Sequence, residues 1–192
     1  MFIRNGKRFD IKRQYTFDGI TFPVGYFITE DARAKYGITE ISEPTRKNEK
    51  FYTVTEIDDS PYIQNTPKEL SQVKKMLSDN VKAKRDDLWV RGGFEVNGKW
   101  YASDAQSKTQ YLFYTSLGSS IPANTQWKTK DGSFVTLTQS LLSDMIGASI
   151  AQETAIFDKA QELLEEIDSA TTVDSLAELN WEDNWPNVYN VF

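Results

Sequence analysis

Short apolar runs broken by turn dipeptides dominate residues 1–60, and that pattern predicts strands. Segments 1–4 and 8–11 flank Asn5-Gly6, while 15–17 and 20–22 flank Asp18-Gly19. Both dipeptides suit two-residue hairpin turns, because Asn, Asp and Gly tolerate positive φ. Pro23 stops the second hairpin. Thr29 is placed to cap a short helix over 30–36, with Glu30 and Asp31 in its first turn and Gly37 as its stop. Strands at 38–41 and 51–57 enclose a polar loop at 43–50.

Beyond residue 66 the apolar spacing becomes helical. Thr66 as a cap and Pro67 at the first helical position predict a helix over 67–90. Its stripe is Leu70, Val73, Leu77, Val81 and Leu88, which leaves Lys74, Lys75, Lys82 and Arg85 to solvent. Arg91-Gly92-Gly93 ends it. Asn97-Gly98 between 94–96 and 99–101 is the clearest hairpin signal in the chain. Ser103 and Asp104 cap a helix over 105–117, in which packing decides whether Tyr111, Phe113 and Tyr114 are buried. A second hairpin joins 126–129 to 134–137.

Thr138 caps a helix over 139–169 with one long apolar face: Leu142, Met145, Ile146, Ile150, Ile156, Phe157, Ala160, Leu163, Leu164 and Ile167. Its length suits a bundle or a coiled-coil seam. A short helix over 173–179 precedes an aromatic tail, 181–192. The fold class expected is α+β. A β-rich module (1–60) and a linker (61–66) lead into an antiparallel helical domain with two β-hairpins and the tail (67–192). Leu142, Ile146, Ile156, Leu163 and Ile167 should pack on Leu70, Val73, Leu77 and Val81.

Charge sharpens this division. Residues 1–66 carry 10 basic and 10 acidic side chains, 67–136 carry 11 and 7, and 137–192 carry 1 and 11, for a net −6. An acidic last segment opposes broad nucleic-acid contact, which needs clustered Lys and Arg. It also predicts that acidic and basic rims of the two long helices face one another. No apolar run is long enough for a signal peptide or a membrane span, so a soluble protein without membrane insertion is expected.

Among 192 residues there is no Cys and no His, which removes disulfides, thiol catalysis, Ser-His-Asp machinery and imidazole metal ligands. Glu162, Glu165, Glu166 and Asp168 have the residue type for paired-carboxylate chemistry, but on an exposed helix face they read as solvating charge. Asp58-Asp59 and Asp183-Asn184 lack the alternating acidic pattern of a calcium loop. Gly92-Gly93 and Gly98 belong to a helix stop and a hairpin rather than a phosphate cradle. No cofactor and no enzymatic activity are expected. The aromatics remain. Trp100, Trp127 and Trp185 could serve as sugar platforms, although half-buried hairpin positions explain them more simply. Trp181, Trp185, Pro186, Tyr189 and Phe192 crowd one terminal segment, which must dock on this chain's own helices or insert into another subunit. These five, with Trp100 and Trp127, are the candidate partner-binding residues.

Residues 80–192 carry an ordered motif set: 86–90, Gly93-Phe94-Glu95-Val96-Asn97-Gly98-Lys99-Trp100-Tyr101, Ser103-Asp104, Ile121-Pro122, 127–138, and the closing Trp185-Pro186 with Tyr189. This set resembles a domain-of-unknown-function family found near the C-termini of bacteriophage and prophage tail-fibre and baseplate-associated proteins. Phe17-Asp18-Gly19-Ile20-Thr21-Phe22-Pro23 with 29–41 is similar, more loosely, to a short phage tail module. The resemblance implies a virion location, made in the host cytoplasm, and an adaptor or connector role. Implied partners are tail, baseplate or tail-fibre proteins, or further copies of the chain. A tail-fibre assembly chaperone and a carbohydrate-binding module are the alternatives.

Overall fold

In a computed structural model of the chain, three dipeptides set three hairpins. Asn5, Asp18 and Asn97 have φ of 51°, 52° and 52°, and the glycines that follow have 75°, 78° and 74°. Two consecutive positive φ values match the twist of the flanking strands. The resulting pairs are β1 (Phe2–Arg4) with β2 (Lys7–Phe9), and β3 (Tyr15–Phe17) with β4 (Ile20–Phe22). The structure describes residues 1–42, 45–56 and 63–189. It divides into two units, 1–70 and 71–192, and the fold class is α+β.

In the first unit, α1 (Glu30–Lys35) is capped by Thr29, whose hydroxyl accepts the Ala32 N–H, and leads to β5 (Ile38–Glu40). β5 pairs with β1 to give a three-stranded antiparallel sheet in the order β2-β1-β5. Against it lies an aromatic core. Phe27 is fully buried, with the rings of Phe9, Phe17, Phe22, Tyr26 and Tyr36 at 5.1–5.7 Å. Arg4 closes its edge with the guanidinium 3.8 Å from the Phe17 ring centroid.

Residues 63–67, expected as linker and helix start, are a strand. β7 (Ile63–Pro67) pairs with β6 (Tyr52–Glu56), setting Thr66 opposite Thr53 and Pro67 opposite Tyr52. The Lys68 N–H then donates to the Phe51 carbonyl. These cross-strand bonds outcompete the local Thr-Pro helix signal, and α2 (Leu70–Arg91) starts three residues later than expected. Ile57, residues 58–62 including most of the expected linker's start, Glu43, Pro44 and Phe192 lie outside the described residues.

The second unit matches the expected elements closely: β8 (Phe94–Val96) with β9 (Lys99–Tyr101), α3 (Ala105–Leu117), β10 (Gln126–Lys128) with β11 (Phe134–Thr136), α4 (Gln139–Ser169) and α5 (Val173–Glu178). Asp104, Thr138 and Thr172 cap α3, α4 and α5 by accepting the N–H three residues on. Lys74 near the start of α2 reaches the Asp168 carbonyl at the end of α4, whereas Trp89 at the far end of α2 meets Phe157 edge-on. The two long helices therefore run antiparallel, with Val73, Leu77 and Val81 buried on one and Ile156, Ala160, Leu163 and Ile167 on the other.

Four details depart from the helical-wheel reading. Leu142 and Met145 pack not on α2 but with Phe94, Val96, Tyr101, Tyr111 and Leu137 beneath the hairpins. Ile150 is 62% exposed and Phe157 37%, because a helix of this length changes neighbours along its course. Arg85 is not left to solvent: its guanidinium lies 5.1 Å from the Phe157 ring centroid. Finally, Lys74 and Lys84 bond the backbone carbonyls of Asp168 and Glu182 rather than acidic side chains. An ion pair between the basic and acidic segments does form at Lys108–Glu153, 2.9 Å, joining α3 to α4.

Candidate interaction surface

The aromatic tail is the first candidate, and in this structure it lies on its own unit. Trp185 Nε1–H donates to the Trp181 carbonyl at 2.9 Å, which curls the segment into a turn, and Lys84 of α2 sits 5.7 Å from the Trp185 ring centroid. Gln152 of α4 donates to the Asn187 carbonyl. Pro186 and Tyr189 are half-buried, as are Trp181 and Trp185. The ring of Tyr189 lies 6.1 Å from that of Trp100, so two of the candidate residues meet directly. Trp127 sits elsewhere, 4.9 Å from Tyr111 and 6.0 Å from Tyr114.

The tail docks where α2 stops. Ser103 Oγ accepts the Gly93 N–H at 3.0 Å and donates to the Val90 carbonyl at 3.1 Å, tying the helix end to the start of α3. The Lys130 ammonium donates to the Arg91 carbonyl at 2.6 Å and faces the Tyr189 ring at 5.6 Å. Burial pushes that ammonium below the usual lysine range. Ser103 reads in sequence as part of a helix cap, and Lys130 as a turn residue. Their real task is to satisfy donors and acceptors left over at the end of α2.

The turn beside Lys130 is a dense polar knot. Asp131 accepts from Thr129 Oγ1, from the Ser133 N–H and from Lys99 Nζ. Those bonds, led by the Thr129 hydroxyl, hold its carboxyl well below the ordinary carboxylate range. All of its partners are internal to the turn and the neighbouring hairpin, so it fixes loop shape. Among the described residues no group of three acidic side chains is placed to hold a metal ion. No helix among them is long and apolar enough to cross a membrane.

Two kinds of surface stay uncovered. Each unit shows exposed apolar side chains: Ile20, Val24 and Ile28 in the first, Leu112, Phe113 and Ile150 in the second. Separately, α3 and β10 border an open cleft of about 490 Å³, lined by Ser107, Gln110, Phe113 and Tyr114 from the helix and Trp127 and Lys128 from the strand. Of these only Trp127 stands out in the sequence. The available signal for the others is the run Tyr111, Phe113, Tyr114, since three rings within four helical positions cannot all face the core.

Residues 72–180 match the family described as a domain of unknown function, DUF4376, and the chain belongs to that family. No curated protein and no solved structure matches it. The matched range runs from the first turn of α2 to just past α5. The tail residues Trp181, Trp185 and Tyr189 follow it directly and pack back on its helices.

Proposed function

We propose that the chain is a non-catalytic adaptor of a bacteriophage tail or baseplate, located in the virion, that joins neighbouring tail, baseplate or fibre subunits. The observation that carries this reading is that each unit closes a core of its own yet leaves aliphatic side chains exposed: Ile20, Val24 and Ile28 in one, Leu112 and Ile150 in the other. Large apolar side chains left in water are available for association. Exposed aliphatic side chains on both units fit a part that bridges two partners, or two copies of itself. The phage context rests on the resemblance of residues 80–192 to tail-associated domains.

Mass spectrometry of purified particles, followed by reconstruction of the tail, tests this directly. The adaptor should be present in stoichiometric amount with both units against other chains. Absence from finished particles, with binding to free fibre chains during assembly, would favour the chaperone reading instead.

A further inference from the structure

We propose that the cleft between α3 and β10 binds a short saccharide carrying a carboxylate, laid across the rings of Phe113, Tyr114 and Trp127. This goes beyond the adaptor reading and does not depend on it. The cleft's volume, about 490 Å³, lies within the roughly 300–1,000 Å³ of small-molecule sites. Its openness suits a chain that passes through rather than a ligand swallowed whole. Phe113 is 58% exposed although its ring meets Tyr114 at 5.5 Å and 73°. Tyr114 in turn stands edge-on to Trp127 at 84°. The three rings thus stand edge to face along the cleft.

A pyranose presents apolar C–H faces and a rim of hydroxyls, so it needs aromatic area with donors and acceptors at the edges. Those edges are present. Among the described residues, the Gln110 amide, the Tyr114 hydroxyl and the Lys128 ammonium line the cleft and form no hydrogen bond within the chain. An amide gives and accepts, matching sugar hydroxyls, and Lys128 is the one charged side chain in the lining. The lining itself holds no carboxylate, which favours an acidic sugar over a basic ligand. A nucleic acid strand would require a row of cations along its backbone, and a single lysine does not supply one. The other candidate platforms are occupied: Trp100 by Tyr189, and Trp185 by Lys84.

The test is a glycan array probed with the labelled full chain, containing uronate- and sialate-bearing oligosaccharides, their neutral counterparts, and a thymidine oligonucleotide. The wild type should retain acidic glycans. Phe113→Ala and Lys128→Ala, both at exposed positions, should keep the circular dichroism spectrum and each weaken Kd at least tenfold. Asp144→Asn, at an exposed position on α4, should bind as the wild type does. Trp127→Phe keeps a ring in the core and should abolish the change in tryptophan emission on binding. Retention of no acidic glycan, retention of neutral glycans or the oligonucleotide alone, or unchanged affinity in either Phe113→Ala or Lys128→Ala would overturn the proposal.

Discussion

The Tyr189 amide donates to the Gly92 carbonyl at 2.9 Å, so the last described residue of the chain ties down the end of α2. Carbonyls in a helix's final turn have no partner within the helix. Here the chain's own tail supplies one, and Val188 comes so close that a Cβ on Gly92 would meet its Cγ1 at 2.7 Å, besides pressing on the Leu88 carbonyl oxygen. Gly92→Ala should therefore force either the tail or the helix end to move. A cost of about 1–3 kcal/mol, typical of overpacking, is expected as a lower midpoint in urea unfolding. An unchanged midpoint would mean that the tail yields freely.

Deleting residues 181–192 removes the half-buried Trp181, Trp185, Pro186, Val188 and Tyr189 and uncovers Trp100. At roughly 25 cal/mol per Å² of apolar area, partial burial of five such side chains amounts to about 3–6 kcal/mol. The truncated chain should unfold at a lower temperature, and its tryptophan emission should shift to the red. If the tail serves the adaptor role as well, the same truncation also impairs incorporation into particles.

Where sequence reading succeeded, one strong local device decided the outcome. Asn97-Gly98 imposes its hairpin, and Thr138 fixes the start of α4 to the residue. It failed where distant partners decide. Thr66-Pro67 has the local chemistry of a helix start, but Thr53 and Tyr52 recruit it into a sheet. The candidate surface was legible only in part for the same reason. Trp127 is visible as an aromatic, while Gln110, Tyr114 and Lys128 become a site only when the second hairpin is laid against α3. Ser103, likewise, gains its meaning from Val90 and Gly93.

Ser103 is buried and serves two backbone groups at once, accepting from Gly93 and donating to Val90. Ser103→Ala leaves both without that partner, and an unsatisfied buried backbone donor costs about 1–3 kcal/mol. Ser103→Thr keeps the hydroxyl and should recover part of the loss. Thermal unfolding of the three proteins orders them wild type, Thr, Ala from most to least stable. Equal stability of the Ala variant and the wild type would contradict the clasp.

The α3 cap should contribute to acid sensitivity, with the same sign as the more strongly lowered Asp131. The Ser107 N–H is the main cause that lowers the Asp104 carboxyl, helped by the Ser107 hydroxyl. A carboxyl lowered in the folded state binds fewer protons there than in the unfolded chain, so its contribution is complete above the unfolded value near pH 4. It is lost as pH falls through the lower folded value. Glu153, lowered chiefly by its bond to Lys108, has the same sign. Stability measured by urea unfolding should therefore decline below about pH 4, and Asp104→Asn should flatten that decline. The variant should be less stable than the wild type at pH 7 and closer to it at pH 3. A parallel pair of curves would argue against the assignment.

The first unit has little stability to spare, which makes Phe27 its decisive residue. Its ring is fully buried among six other aromatic rings, and Phe→Ala in such a setting costs about 3–5 kcal/mol. At roughly 0.05–0.15 kcal/mol per residue, a unit of this size holds only about 4–10 kcal/mol in total. Phe27→Ala should therefore bring residues 1–70 close to unfolding. The reporters separate well, because all five tryptophans lie beyond residue 70. In the variant, limited proteolysis should cut within 1–70, while the urea transition followed by tryptophan emission stays where it was. A tryptophan transition that moves together with the new cleavage would show that the two units do not unfold separately.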